Sequence, residues 1–360
     1  MRSCAEKIMF KRWQSIWSLV LGSCMAVLIA GCSDSGETAA DGQEKGKDPV
    51  RVAYVLNGAL GDQSFYDSGQ AGINRLVADY GIETITIENN FDAAKYPQSL
   101  ESAVKWRADV IYVISYGYEE LVRQYADRYP DITFVNIDTV VENSKGTITS
   151  INFSEEEGSF MAGVAAALMT SDPSIKGINE EKKVGTVSGM NDVVVNAFLH
   201  GFRQGVAYID DTIEYKNIYV GSWSDPVKGK QATKQLYSQG VDVVFQVAAL
   251  TGTGVLEAAA ESGLYAIGVD SNQNGIKPGH IPTSMLKNVG NAIYDTFAAM
   301  ENGTFEKGAV IYSGLAQDGV GLAIDEHSRA IMPAAMLEQL ETVKAKVVAG
   351  EIVVEPYKGA

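Results

Sequence analysis

Asp109-Val-Ile-Tyr-Val-Ile114 and Asp242-Val-Val-Phe-Gln-Val247 are two versions of one pattern, an aspartate followed by a short, almost wholly apolar run. Each run is too short for a helix and too uniformly apolar for a strand with one wet face. That marks a strand buried on both faces of a parallel sheet. A second matched pair follows, Ile132-Thr-Phe-Val-Asn-Ile-Asp138 and Leu264-Tyr-Ala-Ile-Gly-Val-Asp270, and both members end in aspartate. Upstream, Arg51-Val-Ala-Tyr-Val-Leu56 matches Lys183-Val-Gly-Thr-Val187, and helical spacing over Ser68–Asp79 matches that over Ala197–Tyr208. The alternating stretch Ile82–Ile87 matches Ile213–Val220. Strand, helix, strand repeated in this order predicts an α/β fold of two doubly wound parallel sheets.

In an open parallel sheet, ligands bind beyond the carboxyl ends of the strands. Two such sheets facing each other share one cleft, so Asp138 and Asp270 are expected to line it. A carboxylate offers only acceptor oxygens. An opposed pair suits a ligand with neighbouring hydroxyls, such as a ribose; the alternative for each aspartate is to cap the turn that follows.

The N-terminus carries Arg2, Lys7, Lys11 and Arg12, then an apolar run from Ile16 to Ala30 that ends in Ile29-Ala30-Gly31-Cys32. This fits a secretory signal over residues 1–31 rather than a membrane span, and the closing residues resemble a lipoprotein cleavage box that leaves Cys32 acylated. Residues 32–49 contain no large apolar side chain and are expected to form a flexible tether. The other cysteines, Cys4 and Cys24, fall in the leader, so no disulfide is available to the mature chain. The full chain carries −16; the leader's four basic and one acidic side chains make it +3, leaving −19 on the remainder. Such a surface repels nucleic acid and anionic lipid headgroups.

No catalytic or cofactor motif survives inspection. His200, His280 and His327 sit in unrelated contexts without a second ligand at metal spacing. Gly252-Thr-Gly254 opens like a dinucleotide loop but has Glu257 at the third glycine position. Asp270-Ser-Asn272-Gln-Asn274-Gly275 opens like a calcium loop, but Pro278 interrupts it and Ile281 stands at its twelfth position. The expectation is a binding protein without enzymatic activity, cofactor or metal.

The stretch Gly58-Ala-Leu-Gly-Asp62-Gln-Ser-Phe65-Tyr-Asp67-Ser-Gly69 resembles the first motif of the basic membrane lipoproteins, nucleoside-receptor-like solute-binding proteins of ATP-driven importers. The resemblance continues through Asn152-Phe153, Glu155-Glu-Glu157, Ala162-Gly163, Gly201-Phe202, Val220-Gly-Ser-Trp223-Ser-Asp225, Thr251-Gly-Thr-Gly254, Ala266–Asp270 and Thr283–Lys287. It implies a type I periplasmic-binding-protein fold, two lobes joined by crossover hinges. The expected lobes are residues 50–153 with 288–306, and residues 154–287 with 307–360. It also implies a purine nucleoside as ligand, an ABC permease as partner, and a monomer held outside the cytoplasmic membrane by its lipid anchor. A pentose-binding clamp and a ligand-sensing regulatory lipoprotein share the same features.

A nucleoside needs flat apolar faces for its base and acceptors for its ribose. Phe65, and Phe198 at the equivalent place in the second half, are expected to hold the base, with Trp223 as a further wall; Phe198 has packing beneath its helix with Phe202 as the alternative. Asn57 ends the first strand where many relatives carry aspartate, and Tyr66 stands where asparagine is common. Tyr116 is a candidate donor to the base, and Thr251 and Gly252 are expected to bring backbone groups to the ligand. Lys287, at a strand end, is expected beside Asp270, holding that carboxylate and donating to a ribose oxygen; the alternative is a surface lysine.

Overall fold

The computed structural model describes residues 48–359. The leader, Cys32 and the tether as far as Lys47 lie outside the described residues. The first half runs β1 (Arg51–Leu56), α1 (Phe65–Tyr80), β2 (Glu83–Glu88), α2 (Tyr96–Lys105), β3 (Val110–Ile114), α3 (Glu119–Arg128), β4 (Thr133–Ile137) and β5 (Ile148–Phe153). The second runs α4 (Glu155–Thr170), β6 (Lys183–Ser188), α5 (Val193–Ile209), β7 (Glu214–Tyr219), α6 (Pro226–Ser238), β8 (Val243–Val247), α7 (Leu250–Ser262), β9 (Tyr265–Asp270) and β10 (Ser284–Lys287). Then follow α8 (Val289–Glu301), β11 (Val310–Ser313), β12 (Val320–Leu322), α9 (Glu326–Ile331) and α10 (Ala334–Val348).

These strands form two six-stranded sheets, ordered β11-β5-β4-β3-β1-β2 and β12-β10-β9-β8-β6-β7. The orders agree place by place, with β1 standing for β6, β3 for β8 and β4 for β9. The central strands are wholly buried, as their unbroken apolar runs require, while the edge strands β2 and β7 show the same partly exposed pattern. Every pairing of the first sheet is parallel, whereas β12 returns antiparallel to β10.

The chain passes from the first sheet to the second after β5 and back after β10. The third passage differs from expectation. The expected second lobe takes in residues 307–360, but Val310–Ser313 pairs with Ser150–Phe153 and extends the first sheet. Once α8 has packed beside α1, the open edge of β5 is the nearest ladder, and a parallel partner satisfies its backbone groups. The chain crosses back only between Ser313 and Val320.

Helix α4 shows no polar face, and nearly all of it is buried. It packs on α5 backbone to backbone: a Cβ on Gly163 would lie 2.1 Å from the Phe202 carbonyl oxygen, and one on Gly205 would lie 2.0 Å from that of Phe160. Glycine at these places is a requirement of close approach.

Candidate functional site

The carboxyl ends of both sheets face each other across a partly open cleft. About 520 Å³ within it, open solvent included, is free of protein atoms. Its walls come from segments that follow β1, β3 and β4 in the first lobe and β6, β7, β8 and β9 in the second, together with Lys287 at the end of β10. Four wall residues at or just beyond strand ends have positive φ: Ser115 (φ 72°) and Asp138 (φ 89°) in one lobe, Ala249 (φ 47°) and Asp270 (φ 64°) in the other. Non-glycine residues in that region are strained, and such strain is typical of positions that aim groups at a ligand.

Lys287 sits at one end of the cavity with Asp138, Glu155 and Asp270; their exposures are 1%, 5%, 5% and 7%. Its ammonium is paired with Asp138 and lies 2.7 Å from Glu155 Oε1. The rings of Phe65, Phe153 and Phe198 surround it at 5.0, 5.2 and 5.4 Å, close enough for cation–π attraction. Burial works to depress the lysine, but Asp138, Glu155 and Asp270 outweigh it and hold its pKa above the usual value. The carboxylates outnumber the cation, and water is excluded. Burial therefore pushes Glu155 up to about 7 against the pull of Lys287, and pushes Asp270 up to about 7 in the same way. The sequence placed Lys287 against Asp270; in the structure its direct partners are Asp138 and Glu155, and Asp270 is held from the opposite lobe.

That hold is Ser64. It stands at the N-cap of α1, yet its hydroxyl donates to Asp270 Oδ2 at 2.6 Å and approaches the Val269 carbonyl oxygen at 3.1 Å. Asp62 takes over the helix end, accepting from the amides of Ser64, Tyr66 and Asp67 at 3.0–3.2 Å. Burial lifts Asp62 to about 6 although these amides oppose the shift. Further bonds join the lobes: Ser271 Oγ donates to the Ser64 carbonyl, Gln273 Nε2 to that of Gln63, and Trp223 Nε1 to Tyr116 Oη at 3.2 Å.

Asn57 and Tyr66, the two departures from the family motif, are bonded to each other. Tyr66 Oη donates to Asn57 Oδ1 at 2.6 Å, while Asn57 Nδ2 donates to the Tyr116 carbonyl at 3.3 Å. Asn57, Phe65, Tyr116, Asp138, Phe198, Trp223, Asp270 and Lys287 thus all reach the wall. Thr251 and Gly252 do not. They lie in the first turn of α7, where Thr251 Oγ1 donates to the Ser222 carbonyl and accepts from the Asp225 amide. A Cβ on Gly252 would strike Gln246. The backbone that meets the cavity there belongs to Val247, Ala248 and Ala249.

Tyr66, Ser115 and Asp192 also line the cavity without having been expected there, and Glu155 joins the lysine cluster behind it. The internal repeat held the signal for two of them. Asp192 occupies the helix-start position of α5 that Ser64 occupies in α1, and Ser115 follows β3 as Ala248 follows β8.

A family model described as ABC transporter substrate-binding protein PnrA-like matches residues 49–357. Basic membrane protein A1 of Borrelia garinii subsp. bavariensis is 27% identical over 344 residues, spanning 94% of this chain and 95% of its own. The CD4+ T-cell-stimulating antigen of Listeria innocua is 29% identical, over 93% of this chain and 96% of its own. Among solved structures, an ABC transporter solute-binding protein from Aeropyrum pernix K1 superposes with a TM-score of 0.76 at 26% identity, covering 85% of this chain and 94% of that one. A transcriptional activator of the comK gene from Bacillus halodurans superposes with a TM-score of 0.70 at 20% identity, covering 85% and 100%, and shares the fold.

Proposed function

Because the chain belongs to the PnrA-like substrate-binding proteins of ABC transporters, we propose that it captures a purine nucleoside between its lobes and delivers it to a membrane permease. The observation that carries this is the joining of flat rings to a buried ionic cluster in one cavity between the lobes. Phe65 and Phe198 offer aromatic faces to a base, and such contacts contribute about 0.5–1.5 kcal/mol each beyond area burial. Asp138 and Asp270 accept from vicinal hydroxyls of a ribose, and Lys287 donates to its oxygens. The wall carries more carboxylates than cations, which disfavours phosphorylated ligands and leaves a neutral nucleoside as the better match.

In this role the protein binds and releases its ligand unchanged. A leader over residues 1–31 and acylation of Cys32 would hold it outside the cytoplasmic membrane; among the described residues no helix is long and apolar enough to cross one. Contacts to both lobes favour the closed form in proportion to the ligand's extra affinity for it.

Isothermal titration of the purified protein, unfolded and refolded to strip carried ligand, tests the proposal. One-to-one binding of a purine nucleoside, abolished or weakened at least about tenfold in Asp270→Ala, is expected from loss of charge-assisted bonds. Binding of ribose but of no nucleoside would favour a pentose clamp, and silence with both would remove the substrate assignment.

A further inference from the structure

Among the described residues, Asp192 Oδ2 is the one buried side-chain polar atom of the cavity wall that lacks a hydrogen-bond partner. The other oxygen of the same carboxylate is committed: Oδ1 accepts from the Val195 amide at 2.9 Å and caps α5. The carboxylate is therefore anchored to a helix at one oxygen and bare at the other. Phe198, on the same helix, holds the spacing between a ring face and this acceptor constant.

Other polar groups of the wall are already engaged, the Tyr116 hydroxyl as an acceptor. Tyr66 Oη bonds to Asn57 Oδ1, Asn57 Nδ2 to the Tyr116 carbonyl, and Trp223 Nε1 to Tyr116 Oη. Burial raises the Asp192 pKa, opposed first by the Val195 amide and then by the Tyr116 hydroxyl beside the carboxylate; Oδ2 itself has no hydrogen-bond partner. Asp138, Asp270 and Lys287, on the same wall, are tied into the ionic cluster and to Ser64. A buried acceptor with no partner carries a standing desolvation cost that a donor on the ligand removes. The ribose hydroxyls have their acceptors in that cluster, so the donor left for Asp192 is on the ring.

We propose that Asp192 is the specificity-determining acceptor of this site, taking a hydrogen bond from an exocyclic amino group on the ligand's base, so that the protein favours amino-bearing purine nucleosides. This rests on the nucleoside assignment above and deepens it. It also explains why a helix cap is an aspartate here when serine or asparagine would cap as well.

Two ligand pairs test the assignment, adenosine against purine riboside and guanosine against inosine, since each pair differs by one amino group. Titrated into the refolded full chain, the amino-bearing member of at least one pair is expected to bind about tenfold or more tighter, the range for a hydrogen bond to a charged acceptor. Asp192→Ser keeps a capping oxygen for the Val195 amide and removes the bare one. It is expected to erase that preference, so that the two members of the pair bind with the same affinity. Asp192→Asn keeps the cap and turns an amide N–H₂ toward the cavity, and is expected to disfavour the amino-bearing member. Equal affinities within both pairs in the unaltered protein, or a preference that survives Asp192→Ser, would overturn the role of Asp192 alone. No binding of any of the four to the folded, unaltered protein would overturn the nucleoside assignment and this one with it.

Discussion

Among the described residues, Lys287 is the single cation of a wall that also holds Asp138, Asp192 and Asp270, and Glu155 presses on it from behind. Burying this imbalance has a sign that can be measured. Glu155 and Asp270 rise from 4.5 and 3.8 to about 7, burial being the first cause in each. Between about pH 4 and 7 the folded chain therefore keeps protons that the unfolded chain has released, and stability falls as pH rises through that window, then levels. Asp62 and Asp242, each raised to about 6 chiefly by burial, act in the same direction. Thermal melts of the ligand-free protein are expected to give a higher Tm at pH 5.5 than at 7.5, with a shallower slope in Asp270→Asn; a flat or rising profile would refute the burial account. Strand-end reasoning was enough to bring Asp138 and Asp270 to the cleft, because a strand's terminus is legible from its apolar run. It misplaced Thr251 and Gly252 because the turn after β8 needs only Ala248 and Ala249 before α7 begins, so the helix carries both away from the cavity.

Elements with one wet face were the easiest to read. Helices α1 and α5 fall where their spacing placed them, give or take a turn at each end. Helix α4 left no such trace, since a helix enclosed by α5, α10 and the second sheet has no polar stripe and reads as undifferentiated small and apolar residues. Its glycines are the surviving signal. Gly205→Ala would place a methyl group 2.0 Å from the Phe160 carbonyl oxygen, forcing α4 and α5 apart. The expected cost is about 2–3 kcal/mol, the upper range for overpacking, read as a lower urea midpoint with an unchanged slope. A midpoint within error of the unaltered protein would show that the helices separate freely. Strand β11 was missed for another reason. Four residues, two of them exposed, carry almost no pattern, and only the vacant edge of β5 decides where they go.

At the scale of the molecule, the duplicated strand order was legible because five matched segments recur in the same sequence. How firmly the lobes close was not, because closure depends on single polar contacts between distant residues. Ser64 is the clearest of these. Asp62 caps α1, so Ser64→Ala leaves the helix end satisfied and removes the hydroxyl's bonds to Asp270 and Val269. The variant is expected to keep its melting temperature within a few degrees, to show a larger ligand-free radius of gyration by small-angle scattering, and to bind ligand about three- to tenfold more weakly. An unchanged radius together with unchanged affinity would mean that this bridge does not hold the closed form.

Trp223 lies on the cavity wall with its indole nitrogen bonded to Tyr116 of the other lobe. The chain has four tryptophans, and Trp13 and Trp17 belong to the expected leader. Trp106, the remaining one, sits under Arg51 at the far, amino-terminal end of the first sheet's strands. A processed chain thus emits from two indoles, of which one is held across the lobes and the other is bound within a single lobe. Its intrinsic fluorescence becomes an unlabelled gauge of opening, with Trp106 as the steady internal reference and Trp223 as the needle.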